Sequence, residues 1–334
     1  MGRLQLRHAL VAAGFVATAF APVVLGQTPG SKKIAYRAPR TSWGTPDIHG
    51  DYTNKDEANT PLERPAQLGG KDASAFTEAD LAQLAKERAA QAQQIAGGIG
   101  GAETGAGPTH WYDHLSAKGS RPWFIVDPPD GRLPAMTPQA QRREAAIATI
   151  NDARDGEGRA DSPTDRSMYD RCITRGLPGS MMPAIYGNAY QIVQTPDTIA
   201  IRYEMIHETR IIPLDGRPHA RSGVRLLMGD ARGRFDGDTL VVETTNFTNR
   251  THFGYNNRYN SEKEKIVERF TPIAPGKLNW EVTIDDPEVW TRPWTFAMTL
   301  TKDDSQPIFE YACHEGNYGL RDILSGARAD DRIK

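Results

Sequence analysis

The feature that most constrains this fold is the alternation of apolar and polar residues in the C-terminal half of the chain. Between 278 and 285, Leu, Trp, Val and Ile alternate with Asn, Glu, Thr and Asp, and 294–300 repeats the pattern. Successive side chains of a strand point to opposite faces, so a period of two indicates strands with one buried face. Turn residues such as Pro275 and Gly276 separate these segments. The sequence predicts a mainly β fold, an antiparallel β-barrel or sandwich.

The first half of the chain predicts peripheral elements. Residues 28–65 are polar and proline-rich, which favours an extended arm with one strand-like piece at 49–53. Residues 77–96 and 137–150 predict helices, since each begins with a Thr at the N-cap position. The predicted strands and helices do not alternate along the chain, so the sequence does not predict a parallel sheet. We therefore expect an arm and helices (27–160) packed on a barrel domain (161–334).

The N-terminus predicts export. Arg3 and Arg7 precede an apolar run at 9–25 that contains Pro22 and is followed by Gly26. This layout is typical of a signal peptide (1–26), whereas an uncleaved anchor needs about 20 apolar residues. We expect a periplasmic or secreted protein with no stable membrane insertion after cleavage.

Charge and cysteine content narrow the function classes. The net charge is −2, and the sequence has no basic patch of the kind that binds nucleic acid. Cys172 and Cys313 predict one disulfide bond in an exported protein, and two buried free thiols are the alternative. In the chain-entropy model, closing so long a loop contributes about 3–5 kcal/mol. The oligomeric state stays open.

No standard catalytic motif occurs in the chain. The sequence lacks the signatures of serine hydrolases, zinc peptidases, nucleotide-binding loops and dinucleotide-binding folds. The Gly-rich stretch 97–107 lacks the Lys and Ser or Thr of a phosphate loop. We therefore predict no cofactor.

The candidate catalytic residues are titratable groups in the β half. The alternation over 198–212 predicts one strand with His207 on its apolar face, where it could transfer a proton near neutral pH. A core histidine bonded to a backbone carbonyl is the alternative. The sequence also predicts a last strand at 308–314, and the alternation of side chains along it places His314 on the inner face. The candidate catalytic residues are His207, His314, His252 and Glu204.

Four residues are candidates for substrate binding. Arg202 shares a face with Glu204, and could hold a carboxylate if that face were the barrel interior; an outer-surface pair is the alternative. Tyr186 and Tyr190 precede the first barrel strand, where they could contact a substrate or close the barrel bottom. Trp290 lies in a turn and is predicted at the barrel mouth.

A metal site is not predicted. His207, His219, His252 and His314 could gather in space, but their separations in sequence carry no ligand-spacing signal. A hydrolase with a metal on His207, His252 and His314 is kept as an alternative.

Several strings between 172 and 328 carry a resemblance to a known group. They are 190–196 (YQIVQTP), 210–219 (RIIPLDGRPH), 237–247 (GDTLVVETTNF) and 311–318 (YACHEGNY). This part of the chain resembles a group of exported bacterial proteins of mostly unknown function. The β half looks lipocalin-like, and cofactor-free phenolic-acid decarboxylases use a similar small barrel with Tyr, Arg and Glu inside. That likeness is one of architecture, and fold does not imply function.

These observations favour a cofactor-independent lyase, a decarboxylase or dehydratase, acting on a small aromatic or apolar substrate in the periplasm. Acid–base chemistry of this kind requires only positioned groups with tuned pKa values. The alternatives are a non-catalytic, lipocalin-like carrier of a hydrophobic molecule and the histidine-metal hydrolase. A small molecule is the predicted partner in each case.

Overall fold

The computed structural model of the protein describes residues 36–99, 118–152, 160–253, 258–305 and 307–332. The predicted signal peptide and most of the 97–107 stretch lie outside these ranges. Within them the chain forms twelve strands and three α-helices. The strands are β1 (Gly50–Thr53), β2 (Ile125–Asp127), β3 (Ala189–Gln194), β4 (Thr198–Tyr203), β5 (Thr209–Pro213), β6 (Asp230–Asp236), β7 (Thr239–Thr245), β8 (His252–Phe253), β9 (Arg258–Tyr259), β10 (Lys265–Ala274), β11 (Lys277–Asp285) and β12 (Trp294–Lys302). The helices are α1 (Glu78–Ile99), α2 (Pro138–Asp152) and α3 (Tyr318–Asp331).

Nine strands form an antiparallel, nearly closed barrel. Their order is β5, β4, β3, β1, β12, β11, β10, β7, β6. The short β2 pairs with the start of β12, and β1 pairs with the end of β12 along the same edge. The end strands of the order meet where Gly233 of β6 lies against Ile212 and Leu214, so closely that a Cβ atom would come within 2.8 Å of both. The predicted mainly β class is confirmed. β1 matches the strand-like piece predicted at 49–53, and β2 lies in the 27–160 region that was predicted to pack on the barrel.

The alternation in the sequence builds the inner face of the barrel. In β11 every second residue from Leu278 to Ile284 is buried. The Trp280 ring lies edge-on to Phe296 with centroids 5.5 Å apart and stacks on Phe270 at 6.3 Å. Burial of one large apolar side chain contributes about 1.5–3 kcal/mol, so this cluster is a main source of stability.

The two ends of the barrel differ in their connections. At one end the strands are joined by short turns at 195–197, 237–238 and 275–276. At the other end lie the longer segments 246–264 and 286–293, together with the chain that leads into β3. Because long connections on a rigid scaffold are where binding residues concentrate, this second end is the candidate site end.

The helices are peripheral, as predicted. Thr77 caps α1, since its hydroxyl accepts from Asp80 N at 3.2 Å and the Asp80 carboxylate accepts from Thr77 N at 2.8 Å. Thr137 caps α2 by accepting from Ala140 N at 3.1 Å. Both helices are exposed along most of the surface that the structure describes. In the described part of the chain, no helix has the length and apolar content to cross a lipid bilayer.

The prediction of one continuous strand over 198–212 is wrong. β4 ends at Tyr203, a 3-10 turn follows at Met205–His207, and β5 returns antiparallel. The register pairs Ile201 with Arg210, and residues paired in this way lie on the same face. Odd positions of β4 therefore share a face with even positions of β5. As a result, Arg210 is buried and Ile211 is 56% exposed.

The predicted last strand at 308–314 is also wrong. Residues 307–312 have no regular secondary structure and pair with no strand among the described residues. Phe309 and Tyr311, which the pattern assigned to a strand, are exposed. The segment instead crosses the 204–207 turn, where Tyr311 N donates to Glu204 O at 3.4 Å. It leads into α3, which the sequence analysis did not predict.

The close approach at Gly233 generates a stability test. We expect Gly233→Leu to destabilise the protein by about 1–3 kcal/mol, because its side chain would collide with Ile212 and Leu214 where the barrel closes. The measurement is urea unfolding followed by circular dichroism. Gly223→Ala is the matched control, since a Cβ atom there meets nothing within 4 Å. Equal stability of the two variants would contradict the assigned closure.

Candidate functional site

A buried ion pair spans the interior near the loop-rich end of the barrel. Arg210 Nη2 of β5 lies 2.6 Å from Glu268 Oε2 of β10 and donates to Thr244 Oγ1 of β7 at 2.7 Å. The two charged side chains are 3% and 0% exposed. Burial alone would lower the pKa of Arg210, but the adjacent Glu268 carboxylate raises it overall. The guanidinium therefore stays charged inside the barrel.

Aromatic hydrogen-bonding groups surround this pair. Trp280 Nε1 donates to Glu268 Oε1 at 3.1 Å, and Glu268 Oε2 contacts Arg210 without a hydrogen bond of normal geometry. Tyr203 faces the guanidinium, and Tyr190 packs edge-on to Tyr203 with ring centroids 6.1 Å apart. Burial raises the pKa of both phenols. Both hydroxyls therefore stay protonated at neutral pH and are available as donors.

The cluster has hydrogen-bonding capacity that the described residues do not use. Nε and Nη1 of Arg210 and the hydroxyls of Tyr190 and Tyr203 make no hydrogen bond of normal geometry to any described residue. A buried donor without a partner costs about 1–3 kcal/mol. Two acceptors of the cluster, Asn54 Oδ1 and Glu268 Oε2, are in the same state, and together these groups indicate a place where a ligand or water supplies both donors and acceptors.

Apolar side chains enclose this polar patch. Phe270, Trp280 and Phe296 lie on the same inner face, and Tyr190, Tyr203 and Glu268 are all fully buried among the core residues. A largely apolar interior with a few convergent polar groups is the usual composition of a small-molecule site.

Residues 172–182, which we call the plug, cover this end of the barrel. Met181 is fully buried in the core, and Asn54 Nδ2 donates to Met181 O at 2.7 Å. Thr174 Oγ1 donates to Glu208 Oε2 at 2.7 Å, beside Arg210. Burial raises the pKa of Glu208. The plug therefore separates the Arg210 cluster from solvent.

The predicted disulfide is confirmed. Cys172 and Cys313 are bonded across a sequence separation of 141 residues. Asn317 Nδ2 also donates to Asp170 O at 2.9 Å and to Cys172 Sγ at 3.3 Å. The bond thus ties the start of the plug to the segment that precedes α3.

The prediction that His207 and His314 face the barrel interior is wrong. The turn after β4 carries His207 to the surface, where it is 42% exposed and lies 3.7 Å from Glu310. His314 is exposed in the turn before α3. The backbone of His252 belongs to β8, and its side chain lies outside what the structure describes. Glu204 Oε2 accepts from Ala189 N at 3.2 Å, at the rim of the barrel.

The predicted substrate-binding residues are divided between inside and outside. Tyr190 is inside the cluster. Tyr186 is half-buried and stacks on Tyr311, with centroids 5.9 Å apart. Arg202 is half-buried on the face of β4 opposite the core. Trp290, in the 286–293 segment at the loop-rich end, is buried and lies edge-on to Trp294 with centroids 5.8 Å apart.

Sequence reasoning missed Arg210, Glu268 and Tyr203. The continuous-strand assumption placed Arg210 on the outer face. A signal for Glu268 was present, because it takes an apolar position between Ile266 and Phe270 in a strand with regular alternation. A single charged residue at a strand position that the alternation predicts to be buried is a candidate functional group or one partner of an ion pair.

Metal-ligating side chains do not gather in the described residues. No group of three His, Cys, Asp or Glu side chains there is arranged to hold a metal ion. His219 instead lies between two carboxylates on the outer surface, with Nδ1 3.2 Å from Asp230 Oδ2 and Nε2 3.4 Å from Glu243 Oε1.

Comparisons with known proteins identify no relative by sequence. No family model matches the chain, and no curated protein matches it. Among solved structures, a mutant of the fluorescent protein UnaG aligns at 13% identity with a TM-score of 0.22, covering 40% of this chain and 85% of UnaG. A likeness at this level supports no argument about the site.

The ion pair generates a second prediction. We expect Arg210→Met to destabilise the protein by about 3–5 kcal/mol, because it leaves Glu268 buried without its partner. The double variant Arg210→Met/Glu268→Leu should recover most of that loss, since no buried charge remains. Denaturant unfolding of the two single variants and the double variant measures the coupling. Additive losses would show that the two side chains do not interact.

A second buried carboxyl lies at the same end of the barrel. Burial, and then the nearby Asp286 carboxylate, raise the pKa of Glu264 well above its ordinary value. Asp286 has hydrogen-bond partners, since it accepts from Ser261 N at 2.7 Å and from Ser261 Oγ at 2.6 Å. Glu264 Oε2 makes no hydrogen bond to a described residue. Ionising Glu264 in the folded protein is therefore unfavourable.

The raised pKa of Glu264 makes stability depend on pH. Above a pKa of about 4.5 the unfolded chain releases this proton while the folded protein retains it, so the free energy of unfolding falls as pH rises toward the folded value. We expect Glu264→Gln to remove this decline and to be more stable than wild type at pH 8. Urea midpoints at several pH values test this, with exposed Glu262→Gln as control. A parallel pH profile for Glu264→Gln and wild type would contradict it.

Proposed function

We propose that the protein binds a small, largely apolar organic molecule inside its barrel. The observation that carries this proposal is the Arg210 cluster, in which buried donors and acceptors that make no hydrogen bond of normal geometry to a described residue lie between aromatic side chains. A core that served stability alone would gain from apolar residues at these positions, because buried polar groups are costly. A ligand with an apolar body and one polar end would match both parts of the interior.

We also propose that this function is exercised outside the cytoplasm. The Cys172–Cys313 bond is of the kind that persists in oxidising compartments such as the periplasm. The predicted signal peptide and the resemblance of 172–328 to exported bacterial proteins support the same compartment.

The first test is native mass spectrometry of protein purified from the periplasm, with elemental analysis of the same sample. We expect a co-purified organic molecule, or an apo protein that binds small apolar ligands by calorimetry. Tyr203→Phe should weaken binding about tenfold, by loss of one hydrogen bond to the ligand. Tyr318→Phe, at an exposed position, should not change it. An apo protein that binds none of a broad panel of such ligands would overturn the proposal, and a stoichiometric metal would favour the hydrolase.

A cofactor-independent lyase is the second candidate. The observation that favours it is the position of Glu268, a carboxylate near the neutral phenol of Tyr203 in a buried interior. Such groups can move a proton to or from a bound substrate without a cofactor. In this case binding would be followed by loss of carbon dioxide or water from the substrate.

A variant pair separates turnover from binding. If the protein is a lyase, Glu268→Gln should lower turnover at least 100-fold under conditions in which circular dichroism shows that this variant, which leaves Arg210 without its charged partner, is still folded. His207→Ala/His314→Ala is the control, since both histidines lie outside the barrel, and it should retain turnover. The assay is release of carbon dioxide or water from aromatic acids. If no acid in the screen turns over, the binder without catalysis is supported.

A further inference from the structure

The segment after β12 lies on the outside of the barrel and is joined to the plug by the disulfide bond. We call residues 307–332 the C-terminal strap; it includes α3, and most of its residues are exposed. Its buried side chains are Ile308 and Leu324. Tyr311 N donates to Glu204 O at 3.4 Å, which is a long hydrogen bond. The ion pair of His207 with Glu310 is exposed, and such pairs contribute little to stability. The disulfide bond is therefore a main attachment of the strap.

The two sulfur atoms of this bond differ in their exposure. Cys172, at the start of the plug, is 3% exposed, whereas Cys313 is partly exposed in the turn before α3. A thiolate that attacks a disulfide bonds to one sulfur and displaces the other, and access influences which sulfur it reaches. Exposure therefore favours attack at Cys313, with Cys172 as the sulfur that leaves.

A hydrogen-bond donor lies at the sulfur that leaves. Asn317 Nδ2 donates to Cys172 Sγ at 3.3 Å and to Asp170 O at 2.9 Å. The amide is held in this orientation, since Asn317 Oδ1 accepts from Leu320 N at 3.2 Å at the start of α3. Hydrogen bonds to an ionised acceptor are stronger than those to a neutral one, so this donor stabilises Cys172 more as a thiolate than in the disulfide. A more stable leaving thiolate speeds exchange.

The backbone of Cys172 also favours opening of the bond. Its φ angle is 54°, in the left-handed region, which is unfavourable for a residue with a Cβ atom. Such a conformation persists where the surrounding structure imposes it, and the covalent bond to the strap is one such constraint. Breaking the bond removes this constraint at the first residue of the plug.

We propose that the Cys172–Cys313 bond is a site of thiol–disulfide exchange, at which an external dithiol releases the strap from the plug. One thiolate of the dithiol bonds to Cys313 Sγ, and Cys172 leaves as a thiolate that takes up a proton. The second thiolate of the dithiol then bonds to the first and displaces Cys313, which also takes up a proton. The dithiol becomes a disulfide, and two electrons pass to the protein. This exchange requires no ligand in the barrel, so it is independent of the proposed function.

The first experiment identifies the sulfur that is attacked. The purified, oxidised protein reacts with 2-mercaptoethanol under native conditions, free thiols are trapped with N-ethylmaleimide, and the two labels are located by peptide mass spectrometry. We expect mercaptoethanol on Cys313 and maleimide on Cys172. The reverse pattern would overturn the assigned direction of attack. Exchange no faster than global unfolding would overturn the proposal, because the bond would then be closed to thiols in the folded protein.

A variant of Asn317 tests the role of the donor. Asn317→Asp keeps an acceptor for Leu320 N, so α3 remains capped, but it replaces the donor at Cys172 with a carboxylate. We expect exchange with 2-mercaptoethanol, a neutral thiol, to be about tenfold slower. Ser325→Asp adds the same charge at an exposed position of α3 and should exchange at the wild-type rate. An unchanged or faster rate in Asn317→Asp would overturn the assignment of Asn317.

Hydrogen exchange measures the release of the strap. After reduction with dithiothreitol we expect the amides of α3 to exchange about tenfold or more faster, because a detached helix of 14 residues is marginal in water. The amides of β10, β11 and β12 should remain protected. The variant Cys172→Ser/Cys313→Ser, without reductant, should reproduce this pattern. Unchanged exchange in the strap would overturn its release. Loss of protection throughout the barrel strands would also overturn the proposal, since the bond would then support the whole fold.

Discussion

Two opposite charges lie inside the barrel where its end strands meet. Arg210 reaches from β5 across β6 to Glu268 on β10 and Thr244 on β7. β6 permits this because its inward residues at the crossing, Ala231 and Gly233, are small. A buried charge is tolerated only when another group compensates it, so the pair fixes how closely the two edges approach. The same pair forms the polar part of the candidate site, so it contributes both to closure of the barrel, together with the Gly233 contact, and to the polarity of the site.

The loop-rich end of the barrel joins this contact to the rest of the chain. The plug lies over the cluster through Met181 and Thr174, and the Cys172–Cys313 bond fixes its start to the C-terminal segment. The short turns at the opposite end offer no such coverage. The segment that covers the interior at this end is therefore held by a covalent bond.

Odd and even positions identify the inward and outward side chains only within one uninterrupted strand. The apolar pattern over 198–212 is regular enough to indicate a single strand, but a turn at 204–208 reverses the chain. The register then places Arg210 opposite Ile201 on the inner face, and His207 at the surface. The position predicted for His207 failed for this reason, and that of His314 failed because 308–314 forms no strand, whereas Tyr190 lies in β3 and is buried on the inner face.

The sequence by itself determined the mainly β class, the capped helices and the disulfide partners, because each depends on local periodicity, on capping residues or on there being two cysteines. It also contained a sign of the site in Glu268, a charge at a buried position of β10. Only the tertiary structure decided which residues share the interior. Arg210 and Glu268 are far apart in the chain, and the register of separate hairpins, together with closure of β5 against β6, brings them together.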